Sequence, residues 1–247
     1  MSTVSTILHI YSHDADAVER ALTTIFAAED RVNALRLEGT FSAVLGRVTD
    51  PDLDAAYRYL ICRPHDVSRW TPVLELGNRT EGLDVELSRL LDGAPVFTVF
   101  DYGETVSGYT LARGGARVDR YISDPTWLED AGESSGNNTD NAPAPDLEAL
   151  RGHPERFADL LPPDTAPEDF ARIVLAPGWW EDYSASTGED LAPEERDEED
   201  ELVDERDRMR CIALALELWS PTEYPLTQDL DDLANGTVGP GIILAFN

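Results

Sequence analysis

Apolar residues recur with two different periods in the first half of the chain, and residues 81–125 show both periods most clearly. The first part of this stretch has leucines three and four positions apart, which is the spacing of one face of a helix. These leucines are Leu83, Leu87, Leu90 and Leu91. Thr80 is placed to cap the start of the helix, and Gly93 stands where a helix commonly ends.

Three strand-like runs follow this helix and predict an antiparallel meander. Residues 95–100 are apolar at almost every position, which is typical of a strand covered on both faces. Residues 106–113 and 116–123 flank the pair Gly114-Gly115. Because glycine accepts positive φ, this pair predicts a tight hairpin between the two strands.

The remainder of the N-terminal half supplies one more helix and further strands. The predicted strands cover residues 3–11, one or two segments of residues 33–48, and residues 73–76, and an amphipathic helix covers residues 14–28. Residues 51–62 are ambiguous, since Pro51 suits the first position of a helix while residues 56–62 (AYRYLIC) have the composition of a strand. Residues 3–11 are apolar on both faces, so we expect that strand to lie inside the sheet.

The composition of the chain changes after residue 128. Residues 129–145 are rich in Gly, Ser, Asn and Pro, which predicts a flexible linker or loop. Beyond the linker we predict mainly helices: residues 146–161 with a break at Pro154, a helix started by a capping box at residues 165–168, and a long helix over residues 194–219. Residues 241–246 form an apolar strand that needs a partner, and the N-terminal sheet is the expected one.

Together these elements predict an α+β protein with a mixed, largely antiparallel sheet. Residues 1–128 form the sheet domain, with an N-terminal helix and the helix-plus-meander unit of residues 81–125. Residues 129–145 form the linker, and residues 146–247 form a mainly helical part whose last strand rejoins the sheet.

The charge composition of the chain indicates the kind of solvent to which the protein is adapted. The chain carries 49 acidic and 19 basic residues, a formal net charge of −30, and every basic residue is an arginine. This composition resembles that of proteins from extreme halophiles. In molar salt the Debye length falls to about 3 Å, which removes most of the repulsion between surface carboxylates. We therefore expect adaptation to concentrated KCl rather than mimicry of a nucleic acid, because the acids are spread along the whole chain.

The sequence shows no signal for export or for membrane insertion. The N-terminus lacks the basic region and apolar core of a signal peptide, and no run reaches the ~18 apolar residues of a membrane span. Cys62 and Cys211 are far apart and lack metal-ligand spacing, which favours buried free thiols in a reducing compartment. We expect a cytoplasmic location, no cofactor and no nucleic-acid partner.

His9 and His13 are weak candidates for a metal site, because imidazole together with nearby carboxylates suits zinc. On a continuous strand the Cα atoms of two residues four positions apart are about 13 Å apart, which is too far for one ion. We therefore favour one packed and one surface histidine.

Two groups of residues are candidates for binding a partner. Arg113, Arg117 and Arg120 form a basic island on the last predicted hairpin, and such an island suits a phosphate or an acidic partner. Ion pairs with the chain's own carboxylates are the favoured explanation of these arginines. The second group is Trp179, Trp180 and Tyr183, beside the acidic segment 181–207. A contact patch and a buried seam explain these aromatic residues equally well.

The catalytic signatures His-Glu-x-x-His and Cys-x-x-Cys are absent from the sequence, and a Walker phosphate loop requires a lysine that this chain lacks. These absences favour a non-enzymatic protein-interaction or regulatory factor with an immunity-like or assembly role. The alternative is a hydrolase or transferase of unfamiliar type that uses carboxylates or histidine. A deep pocket would indicate the enzyme, and a flat or edge-strand surface would indicate the binding protein.

Overall fold

The computed structural model of the chain describes residues 4–12, 14–39, 55–63, 69–76, 78, 80–102, 106–124, 148–176, 205–218 and 241–246. Its strands are β1 (Val4–Tyr11), β2 (Asn33–Gly39), β3 (Tyr57–Cys62), β4 (Trp70–Glu75), β5 (Val96–Tyr102), β6 (Ser107–Arg113), β7 (Ala116–Ile122) and β8 (Gly241–Phe246). Its α-helices are α1 (Ala15–Ala28), α2 (Leu83–Leu90), α3 (Pro167–Val174) and α4 (Glu205–Ala215). Two short 3-10 helices cover Glu148–Leu150 and Pro154–Phe157.

The eight strands that the structure describes belong to one sheet, in the order β2-β8-β3-β4-β1-β5-β6-β7. Each pair of neighbouring strands in this sheet is antiparallel, so the protein has an α+β fold as predicted, but the expectation of a mixed sheet is wrong. Strand β1 lies between β4 and β5, as its two apolar faces predicted. Strand β8 lies between β2 and β3, so the end of the chain pairs with the N-terminal sheet.

The sheet is covered on both faces, and each face has its own core. Face A is covered by α1 and α2. Phe26 of α1 stacks on Phe246 of β8 there, with ring centroids 4.3 Å apart. Face B is covered by α3, α4 and the 3-10 helix Pro154–Phe157. The Trp70 indole on this face donates a hydrogen bond of 3.0 Å to the backbone carbonyl of Leu216, just after α4. The C-terminal half therefore packs against the sheet itself.

The Gly114-Gly115 pair forms the predicted hairpin turn, with φ of 58° and 78°. Residues 57–62 of the ambiguous segment form strand β3, whose last four side chains are all buried. Two apolar faces suit a strand in the interior of a sheet better than a surface helix.

Three predictions about helix ends are wrong. Helix α2 has Gly82 rather than Thr80 at its N-cap, because the Thr80 hydroxyl lies 2.5 Å from the Tyr59 hydroxyl instead. Helix α3 does begin at a proline, but its N-cap is Ala166, and the Thr165 hydroxyl hydrogen-bonds to the backbone carbonyl of Ala215. Helix α4 ends at Ala215 rather than at residue 219, because a turn with a positive φ at residue 217 follows.

Residues 148–161, the described part of the predicted helical segment 146–161, contain short 3-10 turns where longer helices were predicted, since Pro154 begins a new turn after His153. The linker prediction for residues 129–145 and the predicted helical segment 194–204 lie outside the described residues. Cys62 is buried as expected, whereas Cys211 is exposed on α4, so the prediction of two buried thiols is wrong for Cys211.

His9 lies in the interior of the sheet on β1, opposite Pro72 of β4 and Phe97 of β5. Its side chain is completely buried, and burial lowers its pKa from 6.5 to about 3. The native protein therefore holds a neutral imidazole at pH values where the unfolded chain takes up a proton.

Acidification is expected to destabilise the protein through His9. The contribution of the neutral imidazole is fully present above pH 6.5 and is lost as the pH falls toward 3. Between pH 7 and pH 5 the free energy of unfolding should fall by about 2 kcal/mol more in the wild type than in His9→Leu. Urea unfolding of both proteins at fixed KCl measures this difference, and equal pH dependence would contradict the assignment.

Candidate functional site

The most distinctive polar surface lies where the β6–β7 hairpin meets residues 153–159. An open depression of about 680 Å³ occurs there, which we call the arginine depression. Its lining residues are Arg113, Arg117, Val118, Glu155, Arg156 and Asp159. Three arginines thus meet in a chain whose formal net charge is −30.

Arg117 forms an ion pair with a buried carboxylate of α2. The Asp84 side chain is only 5% exposed and accepts bonds of 2.9 and 3.0 Å from Nε and Nη2 of Arg117. The Thr110 hydroxyl donates a third bond of 2.9 Å to Asp84. Burial would raise the pKa of Asp84, but the hydrogen bonds and charge of Arg117 outweigh it and keep that pKa below its usual value. The bidentate geometry fixes the position of the guanidinium.

Arg113 is bound by residues 156–159. Its Nη1 and Nη2 each donate a 2.8 Å bond to Asp159, and Nη2 also donates to the backbone carbonyl of Arg156 at 2.9 Å. The hydrogen bonds from Arg113 keep the pKa of Asp159 below its usual value. This arginine therefore fastens residues 156–159 to the end of β6.

Asp119 of β7 is the buried centre of the same region, and its side chain has no exposed area. It accepts hydrogen bonds from the backbone N–H of His153 at 3.0 Å and from the Tyr109 hydroxyl at 3.1 Å. The Nδ1 atom of His153 lies 2.9 Å from the second carboxylate oxygen. Nη1 of Arg156 is 3.8 Å from that same oxygen.

Gly152 allows the chain to approach this cluster. Its φ is +79°, and an added Cβ would lie 2.3 Å from the Tyr109 hydroxyl. Its backbone N–H donates to the carbonyl of Arg120 at 3.1 Å. The backbone of Arg151 forms an isolated antiparallel β-bridge with that of Tyr121 on β7. Residues 151–153 therefore follow the outer edge of β7 and place His153 above Asp119.

The structure brings together only part of the predicted basic island. Arg113 and Arg117 line the depression, and each is paired with a carboxylate of the chain itself. Arg120 lies on β7 outside the lining residues. His9 is a core residue, remote from the surface. His13, Trp179, Trp180 and Tyr183 lie outside the described residues.

Three residues of this region were not predicted from the sequence: Arg156, Asp119 and His153. His153 and Asp119 are 34 positions apart, so no local spacing connects them. The one available signal was an acid in a predicted strand on the same face as Tyr121, where an unpaired carboxylate would be costly. Within the described ranges, no group of three or more His, Cys, Asp and Glu side chains is arranged to hold a metal ion.

Comparison of the chain with known protein families, curated proteins and solved structures finds no match. Among the helices that the structure describes, none is long and apolar enough to cross a membrane. The site must therefore be interpreted from its own chemistry. It offers fixed guanidinium groups at an open surface, next to a buried carboxylate and its histidine.

Proposed function

We propose that this protein is an interaction factor of regulatory, immunity-like or assembly type that uses the arginine depression to bind a protein in concentrated KCl. One observation carries the proposal. Three of the 19 arginines meet at one open depression of a strongly acidic chain, and two of them are immobilised there by bidentate carboxylates.

The sign of the charge supports this choice of surface. At direct contact, where molar salt screens least, a chain with 49 acidic residues opposes the carboxylates of another acidic protein over most of its surface. A partner with carboxylates at its contact surface is repelled least where arginines are concentrated. Arginine is also enriched in protein interfaces and in their energetic hot spots.

Concentrated salt favours contacts of this geometry. At molar salt the Debye length is about 3 Å, so long-range attraction contributes little to binding. Short guanidinium–carboxylate pairs still form because their atoms are in direct contact and their two hydrogen bonds are directional. Arginines that are already held in place also lose less side-chain entropy when a partner binds.

Arg156 is the arginine in the depression best able to engage a partner. Its side chain is 44% exposed, and its guanidinium lies 3.8 Å from Asp119, beyond hydrogen-bond distance. Arg113 and Arg117 are each tied by two short bonds to one carboxylate. Arg156 can therefore turn toward a partner's carboxylate without breaking a short ion pair.

The test is co-purification of the tagged chain from its source cells at molar KCl. Wild-type protein is expected to recover a stoichiometric partner, and Arg156→Glu should reduce that recovery at least about tenfold by placing like charges together. The matched control is Arg172→Glu on α3, where the arginine is 78% exposed and does not line the depression.

The control should retain the partner, and the melting temperature should show that both variants are folded. Arg156→Gln, which removes the charge without reversing it, replaces Arg156→Glu if that variant is unstable. Full recovery of the partner by folded Arg156 variants, or equal loss with Arg172→Glu, would contradict the proposal.

A further inference from the structure

We infer that His153 is a general base, held by Asp119, for the hydrolysis of small esters at the edge of the arginine depression. This activity goes beyond the proposed binding function and does not depend on it. Four features of the described residues support it: the buried carboxylate, the tautomer it selects, the exposure of the imidazole, and the neighbouring guanidinium.

The carboxylate is rigidly placed. Asp119 has no exposed side-chain area, and donors from Tyr109, the His153 backbone and the His153 ring surround it. A carboxylate fixed by several donors cannot turn away, so it holds the imidazole in one orientation. Asp119 is thus a positioning residue for His153.

The hydrogen bond selects the tautomer of His153. A carboxylate can only accept, so Nδ1 donates its proton to Asp119, and the lone pair of a neutral imidazole lies on Nε2. No described residue hydrogen-bonds to Nε2, and the side chain is 25% exposed. A histidine with one nitrogen on a buried carboxylate and the other accessible has the arrangement of a general base.

A positive charge lies beside this base. Arg156 Nη1 and His153 Nδ1 approach the same oxygen of Asp119, at 3.8 and 2.9 Å. The Arg156 side chain is 44% exposed and its guanidinium makes no short ion pair with a described residue, so it can turn toward negative charge that develops on a substrate at Nε2.

The reaction needs no component beyond water and the ester. Nε2 of His153 takes a proton from water as its oxygen bonds to the acyl carbon, and the carbonyl oxygen becomes an oxyanion near Arg156. Collapse of this intermediate breaks the bond to the leaving alkoxide, which takes the proton from Nε2. The products are a carboxylic acid and an alcohol, and His153 is again neutral.

The test uses the full chain in molar KCl with p-nitrophenyl acetate as the probe. The wild-type rate should exceed that of an equal concentration of free imidazole. His153→Asn places an amide donor where Nδ1 lies and so keeps the bond to Asp119 while removing the base. It should lower the rate at least about tenfold.

A wild-type rate no higher than that of imidazole, or an unchanged rate in folded His153→Asn, would overturn the inference. If the variant does not fold, nitrogen–proton NMR of the wild type tests the inference instead, because it shows which nitrogen of His153 carries the proton. A proton on Nδ1 with an unbonded Nε2 is the expected result, and a proton on Nε2 would overturn the inference.

Discussion

Arg208→Met is expected to lower the free energy of unfolding by about 3–5 kcal/mol, because it removes one member of a buried charge network. The Arg208 side chain on α4 is only 3% exposed and lies 3.2 Å from Glu205. Its guanidinium donates hydrogen bonds to the backbone carbonyls of Val174 and Ala176 at the end of α3, and it stacks over Tyr121 of β7 at 5.0 Å.

This network joins the C-terminal helices to the sheet. The Tyr121 hydroxyl donates a 2.7 Å bond to Glu205, so α3, α4 and β7 all depend on one pair of opposite charges. Methionine has similar length but leaves the two carbonyls without their donor and removes the positive charge 3.2 Å from Glu205. Burying carbonyls that have lost their donor accounts for most of the expected loss.

Urea unfolding at molar KCl measures the effect of Arg208→Met. The control is Arg172→Met on α3, an arginine that is 78% exposed in an i,i+3 pair and should change stability by less than about 0.5 kcal/mol. The double variant Arg208→Met with Glu205→Leu should recover part of the loss, because it removes both charges. A single variant as stable as the wild type would show that the buried network does not join α4 to the sheet.

The second large effect is expected from salt. Raising KCl from low to molar concentration should increase the melting temperature by more than about 10 °C at neutral pH, because it screens repulsion among the 49 acidic side chains. The same titration near pH 4, where carboxylates take up protons, should give a much smaller slope. A melting temperature that is flat or falls with KCl at neutral pH would remove the proposed adaptation to salt.

Periodicity predicted most of the sheet because burial decides it locally. Residues 3–11 and 241–246 are apolar on both faces, and both became interior strands, β1 and β8. The Gly114-Gly115 turn was predictable because positive φ at two successive positions strongly favours glycine. Residues 56–62 could not be decided locally, since their strand is defined by pairing with β4 and β8.

The predictions of the helix ends were wrong for a different reason. Thr80 and Thr165 are good capping residues by type, yet their hydroxyls hydrogen-bond to Tyr59 and Ala215 in distant elements. Tertiary partners compete with local capping, and a sequence window contains no information about them. The order of the sheet was likewise beyond prediction, because β8 inserts between β2 and β3 from the far end of the chain.

The candidate site was predicted only where residues are near each other in sequence. Arg113 and Arg117 flank one hairpin, so their proximity followed from the turn. Arg156, Asp119 and His153 were missed because they meet through the passage of residues 151–159 over β7. Such contacts follow from the route of the chain, not from any motif.

Hydrogen exchange of the purified complex, compared with the free chain at the same molar KCl, tests the proposed interaction surface most directly. Slower exchange is expected for backbone amides of residues 113–118 and 153–159, which surround the arginine depression. Amides of α1 on face A should exchange at the same rate in both samples. Protection confined to other segments, with residues 113–118 and 153–159 unchanged, would contradict the proposal that this depression binds the partner.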